Sequence, residues 1–306
     1  MSSRRTPLIR RAVSTLALGV VLALTALAVP DAEVAPTDAT LVKVQSAEGV
    51  DAGKGILRIL AVGSDARPGE DMTRTRGDAL QLISINTETG AASAIGLARD
   101  SWVPIPGVGS NRVNAALHYG GPELLGETVG ELVGVQPDYV FVTRFPFFEK
   151  MVDAIGGIEV DNPRAFSDVY LKDDGFKKGR IHLNGYDAMA FSRIRKTLPG
   201  GDFDRSANQQ RVLQGIQRKL RANQHKPGFL AKGVVSVMQN LHTGLPPAEL
   251  YRIANAVARV DPAKVRTCVV TGGFGNMGGA SVVIPDTATA RRYGDDIRKD
   301  GTLSRC

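Results

Sequence analysis

The sequence ILRILAV, at residues 56–62, is nearly continuous in apolar residues and ends at Gly63. Such a run is typical of a strand that is buried on both faces of a sheet. The stretch ALQLISIN at residues 79–86 and residues 91–97 predict two further strands, joined by a hairpin-like turn at residues 87–90. The chain therefore begins its folded part with a group of central strands.

Helical and strand patterns alternate along the rest of the chain. Helices are predicted at residues 122–133, 146–155, 186–192, 204–223, 233–240 and 248–258, and strands at residues 139–143, 158–160, 265–270 and 281–284. The glycine-rich GGFGNMGG at residues 272–279 lacks the lysine and hydroxyl residue of a P-loop and is interpreted as a flexible hairpin connection. Strands mixed with helices indicate an α/β layer structure.

The N-terminal segment indicates a membrane protein. Residues 12–29 form an apolar run of eighteen residues, long enough to span a bilayer as a helix, after a basic arm at residues 1–11 that favours a cytoplasmic N-terminus. A signal peptide cleaved after Ala26-Leu27-Ala28 is the alternative, and we favour an uncleaved anchor. Residues 30–53, rich in Ala, Asp, Pro and Thr, are interpreted as a linker to an extracytoplasmic domain at residues 54–306.

The overall charge does not indicate nucleic-acid binding. Four of the seven net positive charges lie in the basic arm, so the rest of the chain carries only +3, and no basic patch with interleaved aromatic residues occurs. The two cysteines, Cys268 and Cys306, are expected to form a disulfide in an oxidising compartment. Histidine and cysteine spacings offer no zinc site.

A set of charged and polar residues stands where predicted strands and helices begin or end, the positions from which binding groups project. The set comprises Asp65, Arg76, Asp78, Arg99, Arg193, Arg195, Arg205 and Gln209. Several guanidinium groups with two carboxylates suit a polyphosphate together with a divalent cation. We therefore predict a phosphate site with Mg²⁺ held by Asp65 and Asp78.

Two local patterns bear on whether these residues converge. Arg205 and Gln209 lie on the apolar face of the predicted helix at residues 204–223, so Arg205 needs a partner, either an anionic ligand or a salt bridge to Asp65 or Asp78. Arg193 and Arg195 can face one ligand only if the chain becomes extended after residue 192.

The motifs resemble those of the LytR-CpsA-Psr family in order and spacing. They are GSDAR (63–67), TRGDALQLISIN (75–86), LARDSWVPIPG (97–107), RVNAALHYGGPELL (112–125), VDAIGGIEVD (152–161), HLNGYDAMAFSRIRK (182–196) and GGDFDRSANQQ (200–210). The resemblance implies an extracytoplasmic three-layer α/β/α domain with a central mixed sheet, preceded by one transmembrane helix. It further implies Mg²⁺-dependent transfer of a glycopolymer from a polyprenyl diphosphate carrier to peptidoglycan through a phosphodiester bond.

The resemblance also assigns roles to residues. Arg76, Arg99, Arg193, Arg195, Arg205 and Gln209 would hold the diphosphate, Asp65, Asp78 and Arg99 would act in catalysis, and either aspartate would serve as the base. Asp100 would orient Arg99. The chain departs from the family pattern at Ala79, where a hydroxyl residue is usual, and at Leu97-Ala98, where Ile-Pro is usual, but no charged ligand is lost.

Two other functions stay open on the sequence alone. The first is a non-catalytic polyprenyl-phosphate-binding protein or a pyrophosphatase that uses the same pocket. The second is a transcriptional regulator, which agrees less well with the order of charges at the N-terminus. The glycopolymer, its acceptor position and the oligomeric state have no sequence signature.

Overall fold

The computed structural model describes residues 38–44, 55–223, 225–226 and 240–306. The predicted basic arm at residues 1–11, the anchor at residues 12–29 and most of the helix at residues 233–240 lie outside these ranges. Within the described ranges, none of the helices has both the length and the apolar composition that crossing a bilayer requires.

Seven of the strands within the described ranges form the central sheet. They are β1 (Ala39–Lys43), β2 (Ile56–Ser64), β3 (Gly77–Asn86), β4 (Ala92–Gly96), β7 (Tyr139–Arg144), β12 (Leu241–His242) and β13 (Val265–Val269). Their spatial order is β12-β1-β7-β2-β3-β4-β13. The pairs β1–β12, β2–β7 and β4–β13 are parallel and the other three are antiparallel, so the predicted mixed α/β sheet is confirmed.

The remaining strands form four two-stranded ribbons. These strands are β5 (Trp102–Ile105), β6 (Gly109–Arg112), β8 (Ile158–Asn162), β9 (Phe166–Asp168), β10 (Lys172–Phe176), β11 (Gly179–Leu183), β14 (Gly272–Met277) and β15 (Ala280–Pro285). The helices of the described residues are α1 (Ala115–Val133), α2 (Phe145–Ala154), α3 (Gly185–Arg193), α4 (Asp202–Asn223), α5 (Pro247–Arg259) and α6 (Thr287–Asp300), with a 3₁₀ turn at Pro262–Lys264. Helix α1 begins earlier than predicted and kinks at Gly121, whose φ is 73°, next to Pro122.

Helices cover both faces of the sheet because strand side chains alternate between the two faces. Along β2, Leu60 and Val62 pack in a cluster with α1 and α6, whereas Leu57 and Ile59 pack in a cluster with α5. Helix α4 lies on the face of α5, where Gln81 of β3 reaches Ser206. A third cluster joins α2, α3 and α4 to the ribbons β8–β11 and β9–β10.

The predicted linker at residues 30–53 is wrong for its described part. Strand β1, with the sequence ATLVK, lies inside the central sheet between β7 and β12, and Ala39 and Leu41 are buried. The domain therefore includes residues ahead of the predicted boundary at residue 54. Only Leu41 and Val42 are large and apolar in this strand, so its composition resembles a linker, and long-range pairing decides its structure.

The C-terminal segment completes the far edge of the sheet. The prediction that residues 272–279 connect a hairpin of the strands at 265–270 and 281–284 is wrong: β13 pairs with β4, and the glycine-rich residues 272–277 are strand β14, which itself forms the hairpin with β15. Beyond α6, Leu303 is buried in the core shared with α1. The structure joins Cys268 of β13 to Cys306 as a disulfide with Cα atoms 5.3 Å apart. Whether the two thiols are oxidised in the protein stays a prediction.

Candidate phosphate site

The two predicted catalytic aspartates meet at one end of an antiparallel strand pair. Asp65 directly follows β2, and Asp78 is the second residue of β3, where Ser64 pairs with Gly77 after a register shift. The backbone amide of Asp65 donates to the carbonyl of Arg76 at 3.2 Å. Asp78 is buried, with 8% of its surface exposed, and Asp65 is half-buried.

Both carboxylate oxygens of Asp78 face guanidinium groups. Arg99, in the turn after β4, donates a hydrogen bond from Nη1 to Oδ1, and Arg193, the last residue of α3, places Nη2 3.9 Å from Oδ2. The guanidinium of Arg193 also lies over the ring of Phe145, 4.3 Å from its centroid. Asp78 thus positions two of the predicted phosphate-binding arginines.

Asp100 contacts three arginines rather than Arg99 alone. Its Oδ2 lies 3.7 Å from Nε of Arg99 and 3.3 Å from Nη1 of Arg195, and its Oδ1 lies 3.5 Å from Nε of Arg112. The expected contact with Arg99 is therefore present. Ile194, with φ −60° and ψ 131°, is extended after α3, so Arg195 leaves the helix as the sequence requires.

Arg205 pairs within its own helix. Its Nη2 lies 2.9 Å from the carboxylate of Asp202, and Nη1 of Arg195 lies 3.3 Å from the same group. The expectation of a salt bridge from Arg205 to Asp65 or Asp78 is therefore wrong. Residues three apart in a helix face each other, so Asp202 supplies the buried partner.

Gln209 connects the site to the helix layer. Its Nε2 donates to the carbonyl of Ser192 at 3.2 Å and to that of Asp78 at 3.5 Å, and its Oε1 accepts a hydrogen bond from Gln81 at 3.1 Å. These contacts fix the backbone on both sides of the charged cluster. Arg76, by contrast, is exposed, and no ion pair engages its side chain among the described residues.

Ionisation differs between the charged groups. Burial away from water, followed by repulsion from Asp78, raises the pKa of Asp65, against the opposing effects of the Arg76 amide and the guanidiniums of Arg99 and Arg76. Burial alone would lower the pKa of Arg99, but the carboxylates of Asp78 and Asp100 outweigh it and raise that pKa. Burial lowers the pKa of Arg205 despite the nearby Asp202.

Asp65 and Asp78 are the candidate ligands for a divalent cation. The described residues contain no group of three or more His, Cys, Asp or Glu side chains arranged to hold a metal. Asp65 and Asp78 are nevertheless close enough to repel each other, and Mg²⁺ commonly takes one or two carboxylates with phosphate and water oxygens as its other ligands. Mg²⁺ binding by this pair together with a phosphate ligand stays a prediction.

The structure brings all eight predicted residues to one region, and it adds two that the sequence analysis did not assign to the site. Arg112 and Asp202 complete the ion-pair network, and Gln81 supports it from beneath. Arg112 is the first residue of the motif RVNAALHYGGPELL, and Asp202 and Arg205 stand three residues apart at a predicted helix end. Both features can be identified in the sequence.

Comparison with protein-family models decides the classification. The model of the LytR_cpsA_psr family matches residues 28–298. The chain belongs to the LytR-CpsA-Psr family. A curated relative with a similar sequence is the polyisoprenyl-teichoic acid–peptidoglycan teichoic acid transferase TagU of Bacillus cereus (strain ZK / E33L), which is 33% identical over 196 residues. That match covers 63% of this chain and 62% of the relative, less than two thirds of its length.

Solved structures of this LytR-CpsA-Psr fold are similar along their whole length. A structure of TagT bound to LI-WTA matches with a TM-score of 0.68 and 25% identity, covering 86% of this chain and 100% of that one. A LytR-CPS2A-psr family protein, YwtF (TagT), with bound octaprenyl pyrophosphate lipid matches with a TM-score of 0.64 and 23% identity over 86% and 100% of the two chains. The second likeness is one of fold.

Proposed function

We propose that this LytR-CpsA-Psr protein transfers a glycopolymer from a polyprenyl diphosphate carrier to peptidoglycan, forming a phosphodiester bond in a Mg²⁺-dependent reaction. The observation that carries the proposal is the convergence of guanidinium groups around Asp78 and Asp100. The activity named for the Bacillus relative and the lipid-linked ligands of the TagT structures support the same substrate class.

The charge of the site matches a doubly substituted diphosphate. Its cations are Arg76, Arg99, Arg112, Arg193, Arg195 and Arg205, and its carboxylates are Asp65, Asp78, Asp100 and Asp202. Six guanidiniums against four carboxylates leave two positive charges uncompensated. A diphosphate bearing a prenyl group at one end and a sugar at the other carries two negative charges, so it balances these side chains before the charge of Mg²⁺ is added.

In the proposed reaction, a hydroxyl oxygen of the acceptor attacks the phosphorus attached to the sugar. The bond from that phosphorus to the bridging oxygen breaks, polyprenyl phosphate leaves, and the hydroxyl proton passes to a carboxylate. The arginines stabilise the charge that develops on the phosphate oxygens. Mg²⁺ bound by the aspartates and the diphosphate would neutralise and align the phosphate oxygens.

The contacts of the two aspartates suggest different roles. Asp78 faces Arg99 and Arg193 with both oxygens, which favours a positioning role. Asp65 has no ion pair within the described residues, and its raised pKa favours it as a proton acceptor. We assign Asp65 as the base and Asp78 as the residue that orients the arginines and contributes to Mg²⁺ binding.

The location of this reaction rests on the N-terminal sequence. We propose that residues 12–29 anchor the protein in the cell membrane as a single span, with the basic arm at residues 1–11 in the cytoplasm and the catalytic domain outside. That orientation separates the domain from DNA and argues against a transcriptional regulator. A reporter fused to the C-terminus should be active only outside the cytoplasm, and cytoplasmic activity would reverse the assignment.

Transfer is tested with a synthetic polyprenyl-diphosphate-linked oligosaccharide, purified peptidoglycan and Mg²⁺. The expected product is saccharide bound to peptidoglycan through a phosphodiester, with polyprenyl phosphate released in equal amount. Arg180→Ala, at an exposed arginine that pairs with Glu159 and with none of the site residues, serves as the control variant. Release of polyprenyl phosphate together with free oligosaccharide phosphate, without transfer to peptidoglycan, would identify a pyrophosphatase instead, and binding without any product would identify a lipid-binding protein.

A further inference from the structure

The hairpin of β14 and β15 places an exposed aromatic ring beside the phosphate site. Phe274 of β14 is 69% exposed, and its ring centroid lies 5.7 Å from that of Phe203. Phe203 directly follows Asp202, the buried partner of Arg205. An apolar surface therefore begins one residue away from the charged cluster.

The hairpin is fixed to the site by contacts at two points. The backbone amide of Val283 donates to the carbonyl of Asp100 at 2.9 Å, and Nη2 of Arg112 donates to the carbonyl of Ser281 at 2.6 Å. Arg112 also places its Nε 3.5 Å from the Asp100 carboxylate. The position of the Phe274 ring is thus coupled to the residues that hold the arginines.

Neighbouring residues leave the ring of Phe274 open. The residue is 69% exposed, and its neighbours Gly273 and Gly275 have no side chains. Asn276, two residues further along the strand and so on the same face, is also exposed and presents an amide group. The Oδ1 atom of Asn276 accepts a hydrogen bond from the Gly279 amide at 2.9 Å, so the aromatic ring offers apolar contacts and the exposed Nδ2 group of Asn276 offers hydrogen-bond donors to one ligand.

We propose that Phe274 stacks against the first sugar attached to the diphosphate, with Phe203 supporting its ring. One face of a pyranose consists of C–H groups and is apolar, so covering it with an aromatic ring is favourable. A sugar joined directly to a phosphate in the arginine cluster has to lie within about one ring width of that cluster. The inference rests on the proposed function and adds a saccharide subsite to it.

The test compares ligands with and without a sugar by titration calorimetry in the presence of Mg²⁺. The ligands are geranyl diphosphate and the same diphosphate carrying N-acetylglucosamine or galactose. Phe274→Ala should weaken binding of the sugar-bearing ligands by roughly three- to tenfold and leave geranyl diphosphate unchanged. Phe274→Tyr, which keeps the ring, should bind all three ligands as the wild type does. Tyr170→Ala removes another aromatic side chain that is 87% exposed and should change nothing.

Each other result overturns a definite part of the proposal. If Phe274→Ala binds both sugar-bearing ligands as tightly as the wild type, the saccharide subsite is wrong. If it loses affinity equally for geranyl diphosphate, the ring contacts the prenyl chain or supports the arginines instead. If the wild type binds none of the ligands, the proposed diphosphate function itself fails.

Discussion

Arg205 and Asp202 form an ion pair in which each side chain is only 5% exposed, with Nη2 2.9 Å from the carboxylate. Burying two charges is costly, and a pair in this position is retained when it holds a guanidinium where a ligand needs it. Arg195 also reaches Asp202 at 3.3 Å, so one carboxylate positions two of the predicted phosphate-binding arginines.

Removing Asp202 should destabilise the fold strongly. Asp202→Ala leaves Arg205 buried without its partner, and the expected loss in free energy of unfolding is roughly 3–5 kcal/mol. Asp295→Ala breaks a pair with Arg298 at the same three-residue helical spacing but with side chains 58% and 52% exposed, and should cost less than about 1 kcal/mol. Urea denaturation of both variants checks the difference, and equal losses would contradict the role of burial.

The arginines of the site should control diphosphate affinity without controlling folding. Arg99→Ala, Arg193→Ala and Arg195→Ala should each lose a charge-assisted contact of about 1.5–3 kcal/mol, or roughly ten- to a hundredfold in affinity. Binding of geranyl diphosphate and the thermal unfolding midpoint are measured in parallel. Affinities at the wild-type level in all three variants would remove these residues from the site.

Asp65→Asn and Asp78→Asn should differ in their response to Mg²⁺. At Asp78 the amide keeps an oxygen but loses charge, so transfer should fall and recover in part as the Mg²⁺ concentration rises. At Asp65 the amide cannot accept a proton, so transfer should be abolished at every Mg²⁺ concentration. The opposite pattern would exchange the two roles, and full wild-type activity in EDTA would remove the metal from the mechanism.

The raised pKa of Asp65 predicts a pH dependence of stability. A carboxyl group whose pKa is higher in the folded state binds its proton more tightly there, so its contribution to stability is greatest at low pH. That contribution is lost as the pH rises from the ordinary value of 3.8 through the folded-state pKa. Asp65→Asn should therefore be more stable than the wild type at neutral pH, with the difference shrinking towards acid. Denaturation midpoints across the pH range measure this, and a constant difference would contradict it.

The predicted disulfide should contribute substantially to stability. A bond between Cys268 and Cys306, 38 residues apart, restricts the unfolded chain, and the chain-entropy estimate for such a loop is about 4 kcal/mol. Reduction should lower the unfolding midpoint of the wild type and leave that of Cys268→Ser unchanged. Two reactive thiols in the non-reduced protein would refute the bridge.

The convergence of the charged residues could be predicted because these residues belong to motifs with a recognisable order and spacing, and their binding and catalytic roles stay predictions. Asp65, Arg99 and Arg195 each stand at the end of an element whose type is evident locally, and the fold brings those ends together. The partner of Arg205 was predicted wrongly because long-range partners were considered before Asp202 in the same helix.

Elements that depend on distant pairing were harder to predict. Strand β1 has a linker-like composition and becomes a strand only between β7 and β12. Strand β14 contains three glycines, which disfavour a strand, and β15 supplies the pairing that holds it. In both cases the local preference was weak and the tertiary contacts decided the structure.

The strand order of the central sheet has a consequence for the sequence of events during folding. Strands β2, β3 and β4 are consecutive antiparallel neighbours, whereas β1 pairs Ala39 with Leu241 and β4 pairs Ala92 with Val265. The pairs formed by β1 and β13 close long loops, and long loops close more slowly than hairpins form. The centre of the sheet should therefore form first, and both edges should form only when the last third of the polypeptide is available. Pulse-labelled hydrogen exchange should find β2 and β3 protected before β13. A nascent chain that ends before residue 241 should lack β12, so the outer edge of β1 should stay unpaired.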